Sequence, residues 1–381
     1  MELKRSAYNL IKAKLESGKV LVVYGPRRVG KTYLLEKIIK DKDFKKERVA
    51  FFKGDRKIVQ DVFSAKNLNR MVDFIGKNTS LLILDEAQKI DRIGENLKIL
   101  VDEVPSLKII ASGSASFELA SQLGEPLTGR KKTIKLYPIW VGEIIETKGK
   151  LFYEEIFDQH LIYGGYPELF GLNSVKEKKE YMEDLVNDYL FRDLLELENI
   201  KNAKKLRDLL GLLAFQIGKE VSLNELGNNL DLNKATVARY LDLLEKTFVI
   251  MNIRGFSRNL RKEIYKSSRW YFYDNGVRNA LINNFNSLNL RGDAGELWEN
   301  YLVMERIKKQ NYKRIMTNNY FWRTYDRKEI DWIEERSGKL FGYEIKWNNK
   351  KKIKPPKDWV NTYKNSSFEV ITKVNFLKFV T

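Results

Sequence analysis

One segment limits this chain more than any other. Residues 20–32 read VLVVYGPRRVGKT: an apolar β-type run, then Gly25-x4-Gly30-Lys31-Thr32, followed by the amphipathic stretch YLLEKIIK. A glycine-rich turn between a buried strand and a helix calls for a parallel α/β layer. The chemistry of the loop follows from its residue types. Gly25 and Gly30 let the backbone wrap closely, with Pro26, Arg27, Arg28 and Val29 completing a loop whose N–H groups point inward at phosphate oxygens. The helix start adds partial positive charge. Lys31 would reach the β- and γ-phosphates, and the Thr32 hydroxyl would ligate Mg2+. ATP with Mg2+ is the expected cofactor.

Further along, LLILDEAQKI (81–90) is a continuous apolar strand ending in two carboxylates. Asp85 would hold Mg2+, and Glu86 would act as general base on the attacking water. A third strand, LKIIASGSA (107–115), ends in small polar residues, of which Ser112 and Ser114 would contact the γ-phosphate or the water, unless this is an ordinary strand-to-loop turn. In LTGRKKTIKLYPIW, Arg130 precedes another strand. It either stabilises transition-state charge, in cis or in trans, or is a solvated surface arginine.

Composition narrows the remainder. The 381 residues carry 69 Lys+Arg against 51 Asp+Glu, a formal net charge of +18, and 43% are apolar. The apolar fraction is sufficient for real cores. With no Cys and one His, disulfide scaffolds, Cys-ligated metal centres, iron–sulfur clusters and poly-His sites are excluded. The apolar runs fall far short of the ~20 residues that span a bilayer. The opening MELKRSAYNLIKAKLESG lacks the apolar stretch of a signal peptide. The reading is a cytoplasmic, basic protein with no membrane partner. Its charge suits a polyanion, DNA above all, although lysine-rich surfaces also serve thermal stability.

In the middle, LFYEEIFDQHLIYGGYPELF and KEKKEYMEDLVNDYLFRDLLELENI have helical spacing, broken at Gly164-Gly165-Tyr166-Pro167. This region reads as a helical lid, and His160 as structural. Residues 221–250, VSLNELGNNLDLNKATVARYLDLLEKTFVI, read as two helices joined by a short turn, then a β-rich segment, the pattern of a winged helix-turn-helix. Ser222 and Glu225 match a capping box. On the second helix Lys234, Thr236 and Arg239 would face a DNA groove, or the motif serves only to pack domains together. Downstream, RGFSRNLRKEIYKSSRWYFYDNG interleaves bases with aromatics, suited to phosphate contact and stacking.

The P-loop GPRRVGKT, the LDEAQ box, the ASGSA strand and the LTGR…LYP segment together resemble AAA+ ATPases found in archaea and bacteria, in which the second half carries a winged-helix region and a restriction-endonuclease-like domain. The resemblance covers nearly the whole chain. It implies Asp85 and Glu86 as the Walker B pair, Ser114 near the sensor position, Arg130 as a recurrent arginine and a homo-oligomeric ring. The expected fold is α/β: a P-loop AAA+ three-layer core over 1–148, a helical lid over 149–210, a winged helix-turn-helix over 211–285 and an α/β nuclease-like domain over 286–381.

The C-terminal segment EIDWIEERSGKLFGYEIKW (329–347) holds two alternating runs flanking Ser337-Gly338, a two-residue hairpin turn. Centring the hairpin there places Asp331 across from Glu344, with Lys346 on the same face and Ile330, Trp332, Tyr343, Ile345 and Trp347 on the other. Asp331 and Glu344 would hold a second Mg2+ or Mn2+ while Lys346 orients water, as metal-assisted phosphodiester hydrolysis needs; a solvated acidic face is the plain alternative. The D…E-x-K pattern resembles the PD-(D/E)xK nuclease core, and that resemblance implies Glu299 on the helix GELWENYLVMERI, with Glu296 as the nearby alternative. NNKKKIKPPKDW (348–359) is a basic loop. The combined expectation is an ATPase coupling nucleotide state to DNA binding, with metal-dependent cleavage as an added possibility. A regulatory switch without nuclease activity and an ATPase acting on protein are the competing readings.

Overall fold

The computed structural model describes residues 2–114, 126–190, 202–257, 268–324, 326–348 and 353–381. Within them the chain forms two compact units: residues 1–139 with 166–168 and 246–248, and the remainder from 140 onward. Among the described residues, no helix is long and apolar enough to cross a membrane.

The first unit is built on five parallel strands, β1 (Val20–Tyr24), β2 (Val49–Lys53), β3 (Leu81–Asp85), β4 (Lys108–Gly113) and β5 (Lys131–Lys135), in the order β2-β3-β4-β1-β5. Leu81–Asp85 is buried at every position, as is Val20–Val23, because helices cover both faces of central parallel strands. Val20, Val22, Leu82, Leu84, Ile109 and Ala111 pack with Phe63, Leu97 and Leu100 from the crossover helices. Parallel order brings the C-terminal ends of β1, β4 and β3 side by side, the edge at which open α/β sheets bind ligands.

The second unit contains a seven-stranded mixed sheet. Its strands are β6 (Glu220–Val221), β7 (Ile250–Gly255), β8 (Ser268–Phe272), β9 (Asn318–Arg323), β10 (Glu329–Arg336), β11 (Lys339–Ile345) and β12 (Ser366–Ile371), in the order β12-β11-β10-β9-β7-β8-β6. The β-rich segment after the helix pair and the C-terminal hairpin therefore share one sheet: β7 runs parallel to β9, pairing Arg254 with Tyr320. The helix Ala294–Tyr312 and the shorter helix Lys357–Thr362 belong to the same unit.

The β10–β11 hairpin has the register expected from its turn. Trp332 pairs with Tyr343 and Arg336 with Lys339, and Ser337 and Gly338 both have positive φ, at 49° and 72°. Such a turn matches the twist of the strands it joins. The simple alternation of faces does not survive. A bulge between Ile330 and Ile333 shifts the pairing with β9, so that Ile330 packs with Ile333, Trp322 and Trp359, whereas the Trp332 indole N–H donates to Glu334. The extra residue of a bulge turns one side chain out of sequence, and every residue from Ile330 to Glu334 is buried.

Candidate functional site: a phosphate-binding loop and a buried acidic cluster

The loop after β1 is shaped by sterics. A Cβ on Gly25 would lie 2.1 Å from the Leu136 carbonyl oxygen, and Gly30 adopts φ 90°, so both positions need glycine. The helix Lys31–Lys40 starts at once after Gly30, aiming its first N–H groups into the loop. Lys31 is 5% exposed, and its Nζ donates to the Gly25 and Pro26 carbonyls at 2.9 and 2.8 Å. Arg28, at φ 61°, stands 3.9 Å from Glu168. Arg27 and Val29 complete the turn, with Val29 fully buried.

The Thr32 hydroxyl donates to Asp85 Oδ2 at 2.6 Å, and the Ser112 hydroxyl donates to Asp85 Oδ1. Asp85 is thus held by the first turn of the helix Lys31–Lys40 on one side and by β4 on the other. A hydroxyl and a carboxylate in contact, both hard oxygen donors, fit Mg2+. Glu86 follows in a left-handed conformation at φ 53°, and its Oε2 accepts from the Gln88 amide. A Cβ on Gly54 would come within 2.5 Å of the Glu86 carbonyl oxygen, so β2's end is fitted to this turn. Ser114 is buried at the end of β4, but the contact to Asp85 comes from Ser112.

Two arginines are placed by the fold. Arg130 ion-pairs with Asp102 at 2.6 Å, and its carbonyl accepts from Val20 N at the start of β1. The phosphate loop leaves the other end of that five-residue strand, roughly 16 Å away at ~3.3 Å per residue. Arg130 does not reach the loop of its own chain. Arg5 does reach it. Its buried guanidinium donates to Val29 O at 2.7 Å and Tyr137 O at 2.6 Å, clamping the loop to the segment after β5. No sequence motif marks Arg5.

In the second unit the helix pair is Leu223–Leu230 and Lys234–Lys246. Its turn depends on Gly227, where a Cβ would lie 2.6 Å from the Leu232 carbonyl oxygen. Ser222 occupies the N-cap without a side-chain cap bond, so the expected capping box is absent there; Asn233 caps the second helix instead, accepting from Thr236 N at 2.8 Å. Lys234 and Arg239 are exposed and Thr236 is half-buried. Much of the base-and-aromatic stretch (258–267) and of the basic loop (349–352) lies outside the described residues. His160 is buried, with Nδ1 3.2 Å from the Tyr301 hydroxyl.

Glu299, Asp331, Glu344 and Lys346 converge. Lys346 Nζ lies 2.7 Å from Glu344 and 3.8 Å from Asp331, and the Ile345 N–H donates to Asp331 Oδ2 at 2.8 Å. An arginine unforeseen in the sequence joins them. Arg269 of β8, 4% exposed, sends Nη1 to within 3.9 Å of Glu299 and 3.7 Å of Asp331 and bonds Glu329 at 2.6 Å. The Tyr271 hydroxyl donates to Glu299 at 2.7 Å. Burial, then the nearby Asp331 charge, pushes the Glu299 carboxyl up to about 8 and that of Glu344 up to about 7. Burial also raises Asp331, against the pull of Lys346.

These carboxylates do not fit a metal ion. Among the described residues no group of three metal-ligating side chains is arranged to hold one. Asp331 Oδ1 faces Arg269, its Oδ2 faces the Ile345 N–H and Lys346, and Glu344 Oε1 is bonded to Lys346. Glu296, the alternative to Glu299, instead stands 3.8 Å from Lys219.

Comparison with known proteins agrees with the first of these sites. Residues 17–145 match a family described as AAA domain. The N-terminal unit carries an AAA-type P-loop ATPase domain. Residues 154–288 and 294–376 match two domains of unknown function (DUF8612 and DUF4143). Relatives of the whole chain include the uncharacterized protein MJ1544 of Methanocaldococcus jannaschii, 26% identical over 95% of this chain and 86% of that protein. Another is the uncharacterized protein Rv2008c of Mycobacterium tuberculosis, 27% identical over 90% and 74%. Among solved structures, the replication initiator DnaA bound to AMPPCP and single-stranded DNA is 17% identical, covers 65% of this chain and 89% of its own, and has a TM-score of 0.36. So distant an overlay carries no function across to this ATPase-bearing chain.

Proposed function

We propose that this protein binds and hydrolyses ATP and uses its nucleotide state to control binding to DNA. The observation that carries the reading is the junction of Lys31, Thr32 and Asp85 at the end of a parallel sheet, with the Thr32 hydroxyl on the Asp85 carboxylate at 2.6 Å. Bound Mg2+·ATP supplies the phosphoanhydride and offsets charge on its β- and γ-oxygens. Lys31, in moving its donors from the loop carbonyls to phosphate oxygens, would bind and orient the γ-phosphate. Thr32 and Asp85 would hold Mg2+, oriented by Ser112. Glu86, fixed by Gln88, would take the proton of the attacking water. Arg130 would serve an adjacent subunit, since it is directed away from the loop of its own chain, and Ser114 would line the γ-phosphate side.

DNA is supported by the +18 net charge and by a helix-turn-helix whose second helix exposes Lys234 and Arg239, with Thr236 beside them. The reading favours a switch over a nuclease, because ion pairs occupy the C-terminal carboxylates. The domain division 1–148, 149–210, 211–285 and 286–381 is kept as a functional one, with the helices over 149–210 as the part moved by nucleotide, in cytoplasmic homo-oligomers.

The test is phosphate release by the purified chain and by Lys31→Ala, alongside DNA affinity measured with a non-hydrolysable ATP analogue and with ADP. The expected result is loss of more than ~100-fold in turnover for Lys31→Ala and DNA affinities that differ between the two nucleotides. Turnover that persists in Lys31→Ala removes the site assignment. Equal DNA affinities in both nucleotide states remove the coupling.

A further inference from the structure

The acidic cluster of the second unit is built around an internal cation. Arg269 leaves β8 beside the short strand β6, where its backbone pairs with Glu220, and its guanidinium ends among carboxylates from the helix Ala294–Tyr312 and from β10. The guanidinium also lies over the Phe321 ring of β9 at 4.6 Å, which fixes its plane from below. Cationic groups and donors face the cluster's carboxylates. Glu299 Oε1 accepts from Tyr271, with Arg269 Nη1 at 3.9 Å. Asp331 has Arg269 at 3.7 Å from one oxygen and the Ile345 N–H on the other, with Lys346 at 3.8 Å, and Glu344 Oε1 has Lys346 at 2.7 Å.

We propose that Arg269 occupies the position a divalent cation would otherwise take among Glu299, Glu329 and Asp331, so that the native protein binds no divalent metal at this cluster. An ion roughly 2.0–2.6 Å from Asp331 Oδ1 on the side that faces Glu299 and Glu329 would stand against a guanidinium nitrogen that is itself 3.7 Å from that oxygen. The ion and the arginine exclude one another on both volume and charge. The arginine keeps its place because the residue is 4% exposed and its strand is paired on both sides within the sheet. The contact also ties the strand following the helix-turn-helix to the C-terminal hairpin, and this makes the cluster a structural junction between the regions expected to bind and to cut DNA.

Manganese binding decides it, read by electron paramagnetic resonance on the full chain without nucleotide. The wild type and Asp331→Asn should bind Mn2+ identically. Arg269→Gln should gain one Mn2+ per chain, bound at least tenfold more tightly than any in the wild type, and Arg269→Gln combined with Asp331→Asn should lose it again. A Mn2+ in the wild type that Asp331→Asn abolishes overturns the proposal, as does a folded Arg269→Gln that gains none. If Arg269→Gln does not fold, the comparison of wild type with Asp331→Asn still separates an occupied cluster from one open to metal.

Discussion

At the scale of single residues, the proposed nucleotide site separates side chains assigned to chemistry from those that hold them. Glu86 is the candidate base, and its neighbours fix it without contributing a proton. Glu86→Gln should retain ATP and lose about 10²–10⁴ in turnover, measured as single-turnover phosphate release beside analogue binding. Arg5 is the contrasting case. It donates to the Val29 and Tyr137 carbonyls, and hydrogen bonds from a charged donor contribute roughly 1.5–3 kcal/mol each. Arg5→Ala should therefore weaken binding of a fluorescent ATP analogue by about tenfold or more while leaving far-UV dichroism intact. An unchanged affinity would show that the loop keeps its shape unaided. The loop residues were legible because each need is local: glycine where the backbone must approach, lysine and threonine where the helix starts. Arg5 was not legible, since its partners lie 24 and 132 positions away.

At the scale of elements, glycine in a helix is ordinarily a weakness that alanine repairs. In the helix Leu223–Leu230 the sign should reverse. A methyl group on Gly227 would meet the Leu232 carbonyl oxygen at 2.6 Å, so Gly227→Ala should cost about 1–3 kcal/mol of stability in urea unfolding. A stabilised variant would mean that the turn yields easily. The hairpin β10–β11 shows where element-level reading holds and where it fails. Its register follows from the turn, because Ser337 and Gly338 fix which residues face one another. The bulge at Asp331–Trp332 depends on pairing with β9, a strand outside the hairpin, and no pattern inside the hairpin announces it.

At the scale of the molecule, the charge distribution makes two measurable statements. Two carboxyls of the acidic cluster hold their protons more tightly than free ones: Glu299 is carried from 4.5 up to about 8 and Glu344 up to about 7, burial being the chief cause. A carboxyl whose pKa rises on folding contributes stability below its unfolded value, and that stability is lost as pH climbs through the folded value. The melting temperature of the second unit should fall between about pH 5 and about pH 8.5, and Glu299→Gln should flatten that fall. A melting temperature that rises over this range contradicts the burial of Glu299. The basic surface gives the other statement. DNA affinity should drop steeply with salt, and Lys234→Ala with Arg239→Ala should lower the log–log slope by about 2, at ~0.9 per phosphate contact. A slope unaffected by both changes would place the DNA elsewhere.

The sequence by itself determined the glycine-rich loop after β1, the Asp85-Glu86 pair at the end of β3 and the hairpin register, because each rests on residues a few positions apart whose geometry the backbone dictates. Tertiary structure alone decided three other matters. Pairing across the sheet put Arg130 at the far end of β1 from the loop. The parallel contact of β7 with β9 joined the strands that follow the helix pair to the C-terminal hairpin. Burial brought Arg269, sixty residues before Glu329, into the acidic cluster as its counter-charge. Asp331 and Glu344 could be read as metal ligands from their spacing, with Lys346 orienting water, but a buried charge takes whatever partner the fold delivers. Here the fold delivers an arginine.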